Sequence, residues 1–406
     1  MPLGSFTVLF GSNASGKSNL RDVMRFLNGI SRGYKLVELL AGKFEGNDRI
    51  WAGVRGGPNK FIRSGAKAGD VEVIFTNSDL SYRITLQEVR GKPIRVYDEW
   101  LKSGQESLFS TRDSDGFRAN LKATKVVRVW LKAGGDHRRG HTEDVLNDEP
   151  VISQIEEFLS KRNDDKGQLI REGVDAAVTS LSAMRFLDLS PNAMREPTYP
   201  GPLSLGDSGE NLSTVLQNLV DSGGRERDIR EWLNVLTPMD VAALDFEKDS
   251  RGRISLVLVE HDKRRTSAES ASDGTLRFLA YLALAFSTTS PTTCFVEEID
   301  NGIHPSRLQL LVELVETQSK DRNLQVVASS HSPALMNLLS DETLASSALV
   351  YRTDKSPSSK VKMLRDLPNF LTIAKKRQPG ALMEAGWFEN TVESLDFVDD
   401  KDEDEE

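Results

Sequence analysis

The sequence contains a single cysteine, Cys294, among its 406 residues. One cysteine cannot form an internal disulfide, which excludes a disulfide-stabilised extracellular scaffold. Long apolar runs are also missing, since the longest, residues 278–286, is too short to cross a bilayer and contains a tyrosine. No basic start followed by an apolar run marks a secretory signal. These absences predict a cytoplasmic protein that does not associate with a membrane.

Net charge is small outside the C-terminus. The chain carries −9 in total, and residues 393–406 contain nine acidic residues and one lysine, so subtracting their −8 leaves −1 for the rest. Because like charges repel and bury no apolar surface, we predict an acidic disordered tail over residues 391–406. Basic residues are scattered, so the sequence assigns no nucleic-acid groove and leaves nucleic acid open as a partner.

A phosphate-binding loop is the first motif present. The residues GSNASGKSN follow the apolar run FTVLF and fit the pattern G-x-x-x-x-G-K-[ST]. The backbone N–H groups of such a loop, with the start of the next helix, bind phosphate oxygens. The order of strand, loop and helix predicts a nucleotide site formed by Gly11, Ser12, Asn13, Ala14, Ser15, Gly16, Lys17, Ser18 and Asn19.

Three segments far downstream supply further candidates. SDGTLRFLAYLALAF begins at Ser272 with a polar start that suits a helix cap or an anion site, and His331 follows the apolar run LQVVASS. TTCFVEEID ends a strand in Glu297 and Glu298, at the edge where parallel sheets place ligands. Because side chains alternate along a strand, we expect these two carboxylates to face different ways. Taken singly, the segments have plainer explanations: a helix cap, two exposed acids and a structural histidine.

Together, and in this order, the four segments resemble the heads of ATP-binding cassette (ABC) type ATPases, chromosome-organising proteins (SMC) and the overcoming-lysogenization-defect (OLD) group. The closest resemblance is to the compact ATPases of the AAA_21 kind, where forms similar to GSNASGKSN, MRFLDLSPNAMR, SDGTLRFLA, EEIDNGIHP and SSHSP recur. It implies an α/β fold of the P-loop NTPase class and ABC-ATPase head type. In this fold a mostly parallel sheet is flanked by helices, and we expect an added antiparallel β meander and a helical insertion.

The resemblance also implies roles for individual residues. Lys17 and the loop N–H groups would hold the β- and γ-phosphates of ATP, and Ser18 and Glu297 would bind Mg²⁺. Glu298 would orient the attacking water, and His331 would contact the γ-phosphate. The implied catalytic residues are therefore Lys17, Glu298 and His331.

The SDGT segment, residues 272–275, would act on a second copy of the chain. The resemblance implies that Ser272 and Gly274 present N–H groups to the γ-phosphate bound by the other protomer, with Asp273 between them. ATP would then join two heads into a homodimer or a higher homo-oligomer. Glu297 stands where an aspartate is usual, and SDGT where many relatives have SGGQ, so Asp273 brings a negative charge near the phosphate. Both departures favour slow hydrolysis.

Composition and pattern divide the chain into four parts. We predict an N-terminal ATPase lobe over 1–135, with the loop and a meander near residues 71–97, and a mainly helical lobe over 136–240, with an exposed polar loop at 136–148. A C-terminal ATPase lobe would span 241–390 and the acidic tail 391–406. These divisions are expectations from sequence alone.

The predicted function is that of a hydrolysing ATPase whose nucleotide-dependent dimerisation regulates a partner effector, in prokaryotic anti-phage defence or DNA maintenance. Only 75 residues follow His331, too few for the nuclease domain of OLD proteins, so we expect an effector such as a nuclease on a separate chain. One alternative is an ATP-bound scaffold without turnover. A transporter subunit is less favoured, because 254 positions separate Ser18 from Ser272.

Overall fold

The computed structural model describes residues 1–88, 93–112, 125–131, 141–160, 164–287, 293–322, 324–353 and 356–403. The chain divides into two compact units. One consists of Asn19–Met184 and is called the meander unit; the other joins Met1–Ser18 to Arg185–Glu406 and is called the parallel-sheet unit.

The first part of the chain, up to residue 182, contains both strands and helices. In chain order they are β1 (Phe6–Phe10), α1 (Lys17–Ile30), α2 (Leu36–Ala41), β2 (Lys43–Glu45), β3 (Asp48–Trp51), α3 (Pro58–Phe61), β4 (Ala68–Phe75), β5 (Leu80–Gln87), β6 (Arg95–Ser103), β7 (Glu106–Ser110), β8 (Val126–Leu131), β9 (His141–Leu146), α4 (Val151–Leu159) and α5 (Asp165–Ser182).

Strands β4 to β9 form one antiparallel sheet in chain order. Along β5, fully buried residues alternate with half-buried ones, because one face of the strand packs inward. This confirms the predicted antiparallel meander and extends it from three strands to six.

The polar stretch predicted as a loop contains strand β9. It pairs with β8 from Val126↔Leu146 to Leu131↔His141, so the loop prediction is wrong for residues 141–146. Pairing with an existing strand edge outweighs polar composition here. Residues 136–140 of the predicted loop lie outside the described residues.

The second part of the chain contains the remaining elements. They are β10 (Met184–Leu187), α6 (Pro191–Arg195), α7 (Leu212–Asp221), α8 (Glu226–Leu236), β11 (Val241–Lys248), β12 (Ile254–Glu260), β13 (Arg265–Ser267), α9 (Asp273–Phe286), β14 (Thr293–Val296), α10 (Pro305–Asp321), β15 (Gln325–Ser330), α11 (Pro333–Leu338), α12 (Asp341–Ser346), β16 (Ala348–Thr353), β17 (Ser356–Met363), α13 (Phe370–Ala374), α14 (Pro379–Glu384) and α15 (Trp387–Glu403).

A six-stranded sheet, in the order β10-β14-β15-β1-β16-β17, organises the parallel-sheet unit. Strands β14, β15, β1 and β16 run parallel, with Val296 opposite Ala328 and Phe10 opposite Ser330. Every residue of β1 and β14 is buried, as expected for strands covered on both faces. The carboxyl ends of these strands therefore meet at one edge of the sheet.

The two compact units do not coincide with the divisions expected at 135/136 and 240/241. Strand β1 lies between β15 and β16, which come more than 300 residues later, so the N-terminal strand belongs with the C-terminal elements. Helices α4 and α5 pack instead on the meander strands. Hydrogen bonding across the sheet, rather than chain order, sets the boundaries.

The predicted disordered tail is helical over most of its length. Residues 391–403 continue α15, so the prediction is wrong for them. The helix starts from a packed face, where the rings of Trp387 and Phe388 lie 6.0 and 5.5 Å from that of Phe370. None of the helices in the described part of the chain combines the length and apolar character needed to cross a bilayer.

Candidate functional site

The loop between β1 and α1 folds tightly back on itself. Gly11, Gly16 and Ala14 have φ angles of +153°, +111° and +63°. A Cβ at Gly11 would lie 2.2 Å from the Val350 carbonyl oxygen and 2.8 Å from Ser15 Oγ, so a larger residue does not fit. Ala14 adopts a left-handed conformation that is unfavourable for a residue with a Cβ. The sequence thus builds a narrow loop whose backbone is close to the sheet.

Lys17 lies across this loop. Its Nζ donates hydrogen bonds to the carbonyl oxygens of Gly11, at 2.7 Å, and Ser12, at 3.0 Å. Burial lowers the pKa of Lys17, while the carboxylates of Glu298 and Asp300 act in the opposite direction. The ammonium group is therefore held by neutral oxygens that a phosphate can replace, and it lies within electrostatic reach of two carboxylates.

The remaining loop residues divide into exposed and buried positions. Ser12, Asn13 and Ala14 are exposed. Ser15 is buried, and its Oγ has no hydrogen-bond partner within the described residues. Helix α1 begins at Lys17, directly after the loop, and the partial positive charge at the start of a helix favours an anion there.

The adjacent carboxylates Glu297 and Glu298 lie directly after β14. The Glu297 N–H donates to Leu187 O at 3.0 Å, and the Glu298 N–H donates to Ser329 Oγ at 3.0 Å. Glu298 has a φ of +45°, in the left-handed region. Glu297 is half-buried and Glu298 exposed. The two carboxylates thus differ in environment, although both lie in the turn after the strand rather than in the strand itself.

Asp300 is a site residue that the sequence analysis missed. Its Oδ1 atom is buried without a hydrogen-bond partner among the residues described, and its charge partly offsets the lowering of the Lys17 pKa by burial. Tyr281 fixes the turn by donating from its hydroxyl to Ile299 O at 3.1 Å. The third acid in the stretch EEID was the available signal, but only the burial of an unpaired oxygen distinguishes it from an ordinary turn residue.

His331 follows β15 directly and is exposed. Ser330 Oγ accepts a hydrogen bond from the Ser332 N–H at 2.9 Å, and Ser332 caps helix α11. Since β15 lies between β14 and β1, His331 is placed at the same edge as Gly11 and Glu297. The structure therefore brings the loop, the acidic turn and the histidine together.

The SDGT segment starts helix α9. Ser272 is the N-cap residue, and its Oγ accepts a hydrogen bond from the Thr275 N–H at 3.1 Å, so the helix-cap interpretation is confirmed. A Cβ at Gly274 would lie 3.3 Å from Gly302 O, which places the helix start beside the turn after β14. A phosphate-binding role for Ser272, Asp273 and Gly274 stays a prediction.

The residues present fit Mg²⁺ bound together with ATP. No group of three or more His, Cys, Asp or Glu side chains able to hold a metal occurs in the part of the chain described. Mg²⁺ at nucleotide sites, however, takes most of its oxygens from phosphates and water and few from protein. Ser18 and Glu297 offer hard oxygen ligands, and the unpaired Oδ1 of Asp300 suits a water molecule in the outer shell.

Comparison with protein families decides the class. The model of AAA_21, described as "AAA domain, putative AbiEii toxin, Type IV TA system", matches residues 6–337. The chain belongs to the AAA_21 family. With the sheet order and the phosphate-binding loop, AAA_21 membership confirms the predicted α/β fold of a P-loop ATPase of ABC type. A more specific relation to the OLD group stays a prediction.

Two curated relatives of this AAA_21 chain share parts of the sequence. The DNA replication and repair protein RecF of Allorhizobium ampelinum is 26% identical over 297 residues, which cover 67% of this chain and 71% of RecF. An ATP/GTP phosphatase of Helicobacter pylori is 24% identical over 146 residues, 35% of this chain and 38% of the relative. The chain thus matches well under half of the phosphatase. These relatives support the ATPase class.

Solved structures similar to this AAA_21 chain include two Smc heads bound to parts of ScpA. One, bound to the C-winged helix domain of ScpA, is 16% identical with a TM-score of 0.42, covering 89% of this chain and 91% of the other. The second, derived from Pyrococcus furiosus, is 13% identical with a TM-score of 0.37, covering 93% and 94%.

Proposed function

We propose that this AAA_21 protein binds and hydrolyses ATP. The observation that carries the proposal is the convergence at one sheet edge of Lys17 after β1, Glu298 and Asp300 after β14, and His331 after β15. Transfer of a phosphoryl group from ATP to water requires a cation for the phosphates, an acidic group for the metal and a group that orients the water. These residue types are present here.

Phosphate binding would begin by exchange at Lys17. Its ammonium leaves the carbonyl oxygens of Gly11 and Ser12 and donates to phosphate oxygens, where charge strengthens each hydrogen bond. The N–H groups at the start of α1 bind the same phosphates. The unpaired Ser15 hydroxyl supports this role, because a buried polar atom without a partner is unfavourable until a ligand supplies one.

Hydrolysis would depend on Glu298. Its backbone is held by Ser329 Oγ, and its Oε2 accepts a hydrogen bond from Asn301 Nδ2 at 3.2 Å, so the carboxylate is oriented while still exposed to water. In this position it orients the attacking water and accepts its proton, and His331 contacts the γ-phosphate. When bound, Mg²⁺ on Ser18 and Glu297 would neutralise charge on the phosphates.

Two copies of the chain would complete the site. Within one copy, Asp273 pairs with Arg195 at 2.6 Å, while Lys17 Nζ donates to the loop carbonyl oxygens of Gly11 and Ser12. We infer that the SDGT segment acts on ATP bound by another protomer, giving an ATP-dependent homodimer. Dimerisation would regulate a separate effector such as a nuclease. The similarity to RecF supports a DNA-maintenance role, beside the anti-phage role predicted from sequence.

An ATP-bound scaffold without turnover is the second candidate. It is favoured by Glu297 in place of aspartate and by the negative charge of Asp273 beside the proposed phosphate site. A longer carboxylate and a nearby like charge both weaken stabilisation of the transferring phosphate. Measured turnover of ATP separates the two candidates.

The test compares phosphate release and molecular mass in ATP and Mg²⁺ for the wild type and three variants. Glu298→Gln should lower turnover by about 100-fold or more and remain dimeric in ATP, because the water is no longer activated. Lys17→Ala should neither bind ATP nor dimerise, and Glu389→Gln, an exposed change on α15, should behave as wild type. A normal rate in Glu298→Gln contradicts the assignment, and ATP binding without turnover in the wild type supports the scaffold.

A further inference from the structure

Arg195 forms an ion pair with Asp273 of the SDGT segment. Arg195 ends helix α6, and Asp273 is the first residue of α9, directly after Ser272. Arg195 Nη2 lies 2.6 Å from Asp273 Oδ1 and donates to Ala271 O at 2.9 Å. The guanidinium group therefore lies beside the capping serine, although 78 positions separate the two charged residues.

The two members of this ion pair are held differently. The Arg195 side chain is 23% exposed, and it is also oriented by Asn192 Oδ1, 3.3 Å from Nη1. The Asp273 side chain is 62% exposed. An ion pair with one such exposed partner contributes little to stability, since water competes for the carboxylate. The guanidinium is thus the fixed member of the pair, and the carboxylate is the replaceable one.

A phosphate group is the chemical equivalent that can take the place of this carboxylate. Guanidinium binds carboxylate and phosphate oxygens with the same forked geometry, and a terminal phosphate carries more negative charge. The partial positive charge at the start of α9 favours an anion at the same place. Asp273 therefore occupies the position that a phosphate would be drawn to.

We propose that Arg195 contacts the terminal phosphate of ATP bound by a second copy of the chain, and that Asp273 occupies the phosphate's place on the guanidinium until that phosphate arrives. This inference rests on the proposed function, because it requires two copies joined by ATP. It explains why an acid stands in the SDGT segment, and it makes Arg195 a residue that distinguishes ATP from ADP.

The first test uses the opposite effects that substitutions of Arg195 and Asp273 should have on the ATP concentration needed for dimerisation. In the Glu298→Gln background, the ATP concentration giving half-maximal dimer is measured by light scattering. Arg195→Ala should raise it by about 10-fold or more, because a charge-assisted bidentate contact is lost. Asp273→Asn should lower it, because the competing carboxylate is gone. A purely structural ion pair predicts a rise in both variants, and that result would overturn the proposal.

Arg227→Ala is the matched control for this measurement. Arg227 forms an exposed ion pair with Glu231 on α8 at 2.7 Å. Its substitution also removes an ion-paired arginine, but one that lies outside the SDGT segment and its ion pair. The dimerisation curve of this variant should match that of the background. A fluorescent ATP analogue should also bind single copies of Arg195→Ala and of the background protein equally well, since Arg195 acts on the other copy's nucleotide.

The second test asks which copy Arg195 serves. Two differently tagged chains, all carrying Glu298→Gln, are mixed with ATP and captured through one tag. Lys17→Ala mixed with Arg195→Ala should form heterodimers, because one complete composite site remains. The double variant Lys17→Ala with Arg195→Ala, mixed with the background chain, should not. The reverse pattern shows that Arg195 acts on its own nucleotide, and equal capture in both mixtures shows a structural role; either overturns the proposal.

Failure of the underlying function would look different. If the Glu298→Gln protein without further changes stays monomeric at saturating ATP, both the composite site and the role of Arg195 are wrong. If that protein dimerises, but the Arg195 and Asp273 variants or the mixed chains do not behave as predicted, the dimeric ATPase stands and only the role of Arg195 is wrong.

Discussion

Two pairs of adjacent carboxylates, one in each unit, differ in burial. Asp98 and Glu99, in β6 of the meander unit, are 5% and 0% exposed. Glu297 and Glu298, in the parallel-sheet unit, are half-buried and exposed. Similar dipeptides thus occupy opposite environments, and the difference separates carboxylates buried in their own unit from carboxylates that solvent can reach.

Glu99 has its carboxylate oxygens occupied by its own unit. It accepts hydrogen bonds from Tyr82 Oη at 2.9 Å and from the N–H groups of Val151 at 2.7 Å and Ile152 at 2.8 Å. The last two donors are the first residues of α4, so Glu99 satisfies the start of that helix. The Glu298 carboxylate accepts a hydrogen bond from Asn301 and is otherwise open to solvent. A carboxylate whose acceptor positions are filled by protein is structural, whereas an open one is available to water.

The largest effect expected from this comparison is on stability. Glu99→Ala would leave the Tyr82 hydroxyl and the amides of Val151 and Ile152 buried without acceptors. We expect the free energy of unfolding of the meander unit to fall by about 3–5 kcal/mol. Hydrogen exchange of the α4 amides and denaturant unfolding measure this loss.

Glu298→Ala is the matched variant, because Glu298 is also the second acid of an adjacent pair but is exposed. Its free energy of unfolding should change by less than about 0.5 kcal/mol. If both variants lost equal stability, or if the α4 amides of Glu99→Ala exchanged as in wild type, the division into a structural and a functional pair would be wrong.

A smaller effect should appear on changing pH. Burial raises the pKa of Glu99 from 4.5 to about 7. The folded state therefore binds a proton that the unfolded state has released, so this stability is fully present below pH 4.5 and is lost as pH rises towards about 7. We expect the free energy of unfolding to fall by about 3 kcal/mol across this interval.

Denaturant unfolding at several pH values measures this slope in the wild type and in Glu99→Gln. Gln keeps the size of the side chain and cannot titrate, so the slope between pH 4.5 and about 7 should be absent in that variant. An identical pH dependence in the two proteins would show that another group titrates in this interval. The Glu298→Gln variant is the control and should keep the wild-type slope.

The sequence was sufficient for features whose cause is local or periodic. The loop from Gly11 to Ser18, the buried strands and the cap at Ser272 follow from residue type, alternation and known turn chemistry. It was insufficient where partners come from distant segments. The pairing of Arg195 with Asp273 and the anchoring of Glu99 by α4 depend on tertiary contacts, and the helical tail depends on packing around Phe370 that composition does not reveal.

The smallest effect predicted concerns Asp300 of the parallel-sheet unit, whose Oδ1 atom is buried like the Glu99 carboxylate but has no partner among the described residues. Asp300→Asn removes a charge near Lys17 while keeping the shape, so we expect ATP-bound Mn²⁺ or Mg²⁺ to bind about 10-fold more weakly. This metal affinity is measured by titrating Mn²⁺ into the Glu298→Gln protein with ATP and recording the electron spin resonance of Mn²⁺. The Glu298→Gln background prevents turnover during the titration. Asp221→Asn, exposed on α7, should leave the titration unchanged. An unaltered metal affinity together with lower stability in Asp300→Asn would place Asp300 with Glu99, as a structural acid.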